Sequence, residues 1–190
     1  MAVEQGRSAS ELSRALPEEL IEAVESQWIK PGLKALDIGC GRGQISAWLA
    51  QPGFDVLGAD SSPIAIDLTH KPFGQIESLE FKAVDICVDS LRDYTFDVLV
   101  DRGCFHGIPD TLRFGYVKNI SNSTESGARC LLFHHTGRDA ADVDCDKVQK
   151  LFGQYWKMED HQSTVKPLVR SEGRYSRREE EGLVFKLIRI

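Results

Sequence analysis

The segment 33–43 restricts the chain more than any other, because an apolar run ending in Asp37 is followed by glycine at 39, 41 and 43. A short apolar run bounded by turn residues reads as a buried strand. Alternate glycines let the backbone turn sharply and approach a second group where a Cβ would obstruct it. The stretch 44–50 then reads as a helix with its first amides directed back at the loop. A strand, a glycine turn and a helix open a β-α-β unit, so the pattern calls for a parallel sheet with a ligand at the carboxyl end of its first strand.

The rest of the chain repeats that alternation. Segments 33–38, 54–59, 79–84, 96–100 and 129–133 are predicted as strands, with crossover helices over 44–50, 63–71 and 111–123. The third crossover is short: 89–94 has room for little more than one helical turn. Ahead of the first strand, Leu12, Leu16, Leu20, Ile21, Val24 and Ile29 recur at helical spacing, interrupted by Pro17, which can begin a new helix, and ended by Pro31-Gly32. After the fifth strand come a helix closing at 148–152, a strand at 155–158 and a terminal strand at 182–190. The charged stretch 163–181 reads as a solvated loop. Helix after strand places helices on both faces of a mostly parallel central sheet, an α/β architecture. With 190 residues and neither repeat nor linker, one domain is expected. It divides into an N-terminal helical segment (1–30), a ligand-binding core (33–135) and a C-terminal helix with strands (144–190).

Composition narrows the function classes. The chain is 42% hydrophobic and 27% charged, as in ordinary globular proteins, and no window is apolar enough to span a bilayer. The opening residues lack a basic segment followed by an apolar one, so a cytoplasmic location is expected. A formal net charge of −6 argues against broad binding to a phosphate backbone, so neither nucleic acid nor membrane is expected as a partner. The five cysteines, Cys40, Cys87, Cys104, Cys130 and Cys145, are scattered without paired ligand spacing, which predicts reduced thiols and no metal site.

On glycines alone the loop suits a dinucleotide, since Asp60 ends the second strand at the distance of a ribose-binding acid. The fingerprint G-x-G-x-x-G fails, however: its third glycine falls on Gln44 or on Ser46, according to frame. The strand ends also collect acids: Asp37, Asp60, Asp85 and Asp101. A pyrophosphate is repelled by such a set. S-adenosylmethionine carries a sulfonium and an ammonium, which clustered acids complement, and ribose hydroxyls, which need a carboxylate acceptor. Any one of these acids taken singly reads as a helix cap or a solvated turn; it is their joint placement around the glycine loop that selects the methyl donor.

The run Leu36-Asp37-Ile38-Gly39-Cys40-Gly41-Arg42-Gly43 resembles the first motif of class I S-adenosylmethionine-dependent methyltransferases. Segments 56–60, Ala83-Val84-Asp85-Ile86 and Phe96-Asp97-Val98-Leu99-Val100-Asp101 resemble the family's next motifs, in order. The resemblance implies a Rossmann-like methyltransferase fold with an antiparallel C-terminal strand. It also implies a binding set for S-adenosylmethionine and its product S-adenosylhomocysteine. Gly39, Cys40, Gly41 and Gly43 would touch the methionine part and Asp37 would orient its ammonium. Asp60 with Ser61 would take the ribose, Asp85 with Ile86 the adenine, and Asp101 with Arg102 would lie by the methyl group. The segment Asp101-Arg102-Gly103 is similar to that of small-molecule methyltransferases of the thiopurine and tellurite-resistance type.

Methyl transfer is an in-line displacement at an activated sulfonium, so alignment supplies much of the rate, and a base is needed only where the acceptor arrives protonated. His106, at the rim after the fourth strand, is the candidate base, with Asp101 beside it; a packing role for His106 is the alternative. His134 and His135 follow the fifth strand, and at most one of them faces the site. Cys104 is expected to be a half-buried structural thiol and Trp48 a core residue, with Trp28 in the core or the pocket wall. The expected activity is transfer of methyl to a small-molecule acceptor, a thiol or other soft nucleophile by analogy, with oxygen and nitrogen acceptors open. The short loop between His134 and Cys145 keeps a cofactor-binding, non-catalytic module as the alternative. The oligomeric state is not legible from the chain.

Overall fold

The computed structural model describes residues 16–135, 144–166 and 180–190. Their order is α1 (Glu18–Glu25), β1 (Lys34–Ile38), α2 (Gln44–Ala50), β2 (Asp55–Asp60), α3 (Pro63–Phe73), β3 (Leu79–Ala83), β4 (Phe96–Arg102), a single 3₁₀ turn (Phe105–Gly107), α4 (Asp110–Asn122), β5 (Thr124–His135), α5 (Cys145–Phe152), β6 (Trp156–Lys166) and β7 (Glu180–Arg189). The seven strands form one sheet in the order β3-β2-β1-β4-β5-β7-β6. β1 to β5 run parallel, and β7 lies antiparallel between β5 and β6.

The centre of the sheet is buried on both faces. Ala35, Leu36, Asp37 and Ile38 of β1 are all buried, which is why that strand reads as an unbroken apolar run with one acid in it. On one face, Leu36 and Ile38 pack with Tyr116, Val117 and Ile120 of α4 and with Val148 and Phe152 of α5. On the other, Ala35 packs with Leu20 of α1, Ile45 and Leu49 of α2 and Ile66 of α3. Sheet order reverses between β1 and β4, and the carboxyl ends of those strands open there into a crevice.

Most predicted elements are present, with shifted ends. α3 starts as expected at Pro63, where the Ser62 hydroxyl accepts from the Ala65 amide at 3.3 Å, and runs two residues past its expected end. α1 begins directly after Pro17; Leu12 lies outside the described residues. Three expectations are corrected. Between β3 and β4 there are turns and no helix, because side chains take the backbone groups that a helix would use. The Asp85 amide donates to Asp89 Oδ2 at 2.8 Å, and the Cys87 amide to Asp85 Oδ1 at 3.0 Å. β6, expected to end at Met158, continues to Lys166 by pairing with β7, so both ends of the predicted charged loop belong to the sheet. His134 and His135 are the last residues of β5 and pair with Leu183 and Gly182.

The glycine loop uses a backbone conformation that other residues rarely take. Gly43, which caps α2, has φ +71°, and a Cβ there would stand 2.6 Å from Phe81 Cζ. Gly43→Ala therefore meets left-handed strain and a clash together, and is expected to cost about 1–3 kcal/mol. Chemical denaturation should show a lower midpoint with unchanged m-value.

Candidate active site

The crevice holds a cavity of about 260 Å³. Gly39 of the glycine loop lines it, with Asp60 and Ser61 from the end of β2. Val84, Asp85, Ile86 and Cys87 line it from the turn after β3, and Arg102, Gly103, Cys104 and Ile108 from β4 and the segment beyond it. Six of the residues expected to bind the cofactor therefore share one cavity: Gly39, Asp60, Ser61, Asp85, Ile86 and Arg102.

Hydrogen bonds fix this wall. The Gly39 and Cys40 amides both donate to the Ala59 carbonyl, at 2.8 and 3.0 Å, which folds the loop over the end of β2. Asp60 ties the loop to the next helix: its Oδ2 accepts from the Gly41 amide at 3.0 Å and its Oδ1 from the Ser62 amide at 2.9 Å. Each carboxylate oxygen has a second lone-pair direction for a ligand hydroxyl. Gly39 has φ +68°, and a Cβ there would come within 2.7 Å of Cys104 Cβ, so the loop and the post-β4 segment close on each other only because residue 39 is glycine. Across the cavity, the Asn119 amide group donates to the Ile86 carbonyl at 3.0 Å and holds the Asp85–Ile86 turn against α4.

The remaining predicted residues lie outside the lining. Asp37 is buried beneath the loop, and its Oδ2 accepts from the amide and the hydroxyl of Ser46, at 3.0 and 2.5 Å. Burial raises its carboxyl to about 7 against the pull of these donors, helped by the charges of Asp101 and Asp60. Cys40 is buried and its thiol is pushed far up by burial; Gly41 and Gly43 shape the loop from behind.

Asp101 departs most from expectation. Expected to lie by the methyl group, it is completely buried, and its carboxylate faces the protein. Oδ1 accepts from the Cys104 amide at 2.8 Å, and Oδ2 from the Phe105 amide at 3.0 Å and the Tyr116 hydroxyl at 2.7 Å. Burial raises its carboxyl to about 6 despite these bonds. Arg102, half-buried, has its guanidinium lowered by burial and raised in part by Asp37. Cys104 and Cys87 have thiols raised by burial, to about 11 for Cys87, as expected of structural thiols rather than nucleophiles. Trp48 is buried in the core. Trp28 is partly buried at the edge of the core and does not line the cavity: its indole N–H donates to Glu159 at 2.6 Å, and Arg129 and Lys186 approach its ring.

His106 occupies the 3₁₀ turn between Cys104 and Ile108, two lining residues, with its ring 5.8 Å from that of His134 in an edge-to-face contact. Arg113 secures this turn. It is buried, donates to the carbonyls of Ile108 at 3.0 Å and His106 at 3.4 Å, and pairs with Asp110 at 2.6 Å. Ser46, Arg113, Tyr116 and Asn119 were not among the sequence candidates. Each sits on a helix at an ordinary position, and only the three-dimensional contact reveals its part.

The raised carboxyls make the protein's stability pH-dependent. A folded-state value above the unfolded one means that the native state holds the proton more tightly, so this stabilisation is full below about pH 4 and is lost as pH rises through 6–7. The ligand-free protein should lose unfolding free energy between pH 5 and 8. Asp37→Asn, whose amide oxygen still accepts from Ser46, should lose distinctly less. Denaturation series at both pH values check this, and equal slopes in both proteins would contradict it.

Comparison with known proteins agrees with this geometry. Residues 35–127 match the family model of a methyltransferase domain. The 2-heptyl-1-hydroxyquinolin-4(1H)-one methyltransferase of Mycobacteroides abscessus is 27% identical over 134 residues, which is 66% of this chain and 59% of that protein. The chain spans 59% or less of the length of the curated relatives it matches. Among solved structures, a TehB-like S-adenosylmethionine-dependent methyltransferase from Corynebacterium glutamicum superimposes with a TM-score of 0.70 at 24% identity, over 94% of this chain and 92% of that one. Magnesium protoporphyrin IX methyltransferase from Synechocystis, solved with S-adenosylmethionine bound, gives 0.70 at 16% identity over 96% and 79%. With the reversed sheet order, the left-handed glycine loop and the acids at the ends of β2 and β3 already in place, residues 35–127 match a methyltransferase domain and the chain carries the Rossmann-like methyltransferase fold.

Proposed function

We propose that this protein transfers the methyl group of S-adenosylmethionine to a small-molecule nucleophile. The observation that carries the reading is the placement of two carboxylates, Asp60 and Asp85, in one cavity whose floor is the bare backbone at Gly39. Those donors and acceptors fit the ligand: Asp60 keeps acceptor capacity for ribose hydroxyls, and Asp85 with the buried Ile86 offers a polar and an apolar contact to a heterocycle. Asp37, through Ser46 and the loop above it, favours the ammonium end.

Bound there, S-adenosylmethionine supplies an already activated methyl group. The chain's own task is then alignment and water exclusion, which can account for a large part of such a rate. Asp101 serves by holding the Cys104 and Phe105 amides, and thereby the segment that faces the acceptor. His106 accepts the acceptor's proton where there is one. A small-molecule acceptor is supported by the named relatives, which include a hydroxyquinolone methyltransferase and ubiquinone-biosynthesis O-methyltransferases. They widen the choice beyond the thiol suggested by the thiopurine-type segment. The same names leave the non-catalytic alternative without support. Among the described residues, no helix is long and apolar enough to cross a membrane.

Isothermal calorimetry with S-adenosylmethionine and S-adenosylhomocysteine tests the donor; absence of binding by both at millimolar concentration would refute the reading. Asp60→Ala should weaken binding about ten- to a hundredfold, from charged hydrogen bonds worth roughly 1.5–3 kcal/mol. His106→Ala should lower turnover and leave donor affinity nearly unchanged, whereas equal loss of both would make His106 structural.

A further inference from the structure

The cofactor cavity leaves unexplained a second group of polar side chains beyond its Cys104–Ile108 rim. His134, next to last in β5, is 2% exposed, and its Nδ1 is buried without a hydrogen-bond partner. Its ring meets that of His106, whose turn belongs to the rim. A buried imidazole nitrogen left without a partner is costly, and a position that retains one calls for a ligand to complete it.

The charges around this pair favour an anion. Arg113 is buried beneath the turn, and Lys147 of α5 stands on the same side. Among the described residues, the carboxylate paired with them is Asp110, 2.6 Å from Arg113 and 3.3 Å from Lys147, and two-thirds exposed. Arg113 and Lys147 both act on the His134 ring as positive charge. Burial, the His106 ring, Arg113 and Lys147 together hold the His134 imidazole down at about 4, so at neutral pH it offers one N–H and one lone pair.

We propose that His134 is an acceptor-binding residue which, with His106, forms a paired-imidazole subsite for an acidic hydroxyl acceptor of the phenol class. The proposal rests on the methyltransferase reading above and narrows its acceptor. The acceptor O–H proton passes to His106. His134 hydrogen-bonds the resulting oxyanion, and the Arg113–Lys147 field stabilises it. An oxygen lone pair forms the new O–CH₃ bond as the S–CH₃ bond breaks, and that bonding pair stays on sulfur, leaving neutral S-adenosylhomocysteine. Arg113 acts through the His106 and Ile108 carbonyls and is a positioning residue.

The test is labelled-methyl transfer from S-adenosylmethionine by wild type, His134→Ala and His134→Asn. Acceptors are 4-nitrophenol, phenol and 8-hydroxyquinoline beside 2-mercaptoethanol, thiophenol and benzylamine. Calorimetry with S-adenosylhomocysteine and thermal melting are run on each protein. Wild type is expected to methylate the hydroxyl acceptors, the more acidic ones faster. His134→Ala should lower kcat/KM for them tenfold or more while donor affinity stays within twofold, and His134→Asn, which keeps a polar group near Nδ1, should recover part of the loss. Should His134→Ala fail to fold, the Asn variant alone decides, by a loss confined to hydroxyl acceptors. Turnover of thiols or amines with inert phenols would overturn the proposal and leave the methyltransferase standing. So would donor binding with no phenol turnover, or a His134 loss equal across all acceptors. Failure of wild type to bind either donor form would overturn both.

Discussion

The buried carboxylate of Asp101 is the interaction on which the rest of the site depends. Desolvating a carboxylate costs several kcal/mol, and the cost is tolerable only where donors surround it. Here the Cys104 and Phe105 amides and the Tyr116 hydroxyl do so. These bonds turn the chain sharply at the end of β4 and drop Phe105 into the core against Tyr116 and Phe152. They also press Cys104 against Gly39. The cavity wall at Gly39 and the turn at His106 are thus two sides of one fixed corner. Replacing the carboxylate would loosen both, although it does not line the cavity.

Asp37 repeats the device on the opposite face of the sheet. Its carboxylate ties β1 to Ser46 in the first turn of α2, so the glycine loop is held at both ends while its middle stays bare. Adjacent central strands each carry one buried acid directed to a different helix, Ser46 of α2 for Asp37 and Tyr116 of α4 for Asp101. Both carboxyls are lifted toward neutrality by burial, so the centre of the sheet gives up some stability at neutral pH to hold these two ties.

Much of this was legible in the sequence because it lives in local pattern. Glycine at 39, 41 and 43 and an acid ending each apolar run are one-dimensional facts, and β1 to β5, the order of the motifs and the cavity residues Asp60, Asp85 and Ile86 follow from them. What stayed hidden depends on direction. The position of Asp101 at a strand end does not say whether its side chain looks out at a ligand or in at Tyr116. The missing third crossover helix was lost to Asp85 and Asp89, whose side chains bond the backbone in a way that periodicity does not record. The length of β6 came from pairing with β7, which a charged, poorly alternating stretch conceals.

Charge is divided across the switch point, and the division has chemical sense. Carboxylates gather at the ends of β1, β2 and β3, the complement that the sulfonium and ammonium of the proposed donor require. Two cations and two imidazoles gather beyond β4 and β5, where Arg113, Lys147, His106 and His134 stand. In the proposed reaction formal positive charge leaves the sulfonium in the first region, and the electron pair that displaces it comes from a nucleophile held in the second. A field of one sign over both halves would stabilise one reactant at the expense of the other. The cations stand on the helices that follow β4 and β5, and the corner at Asp101 keeps the two regions within reach of one another.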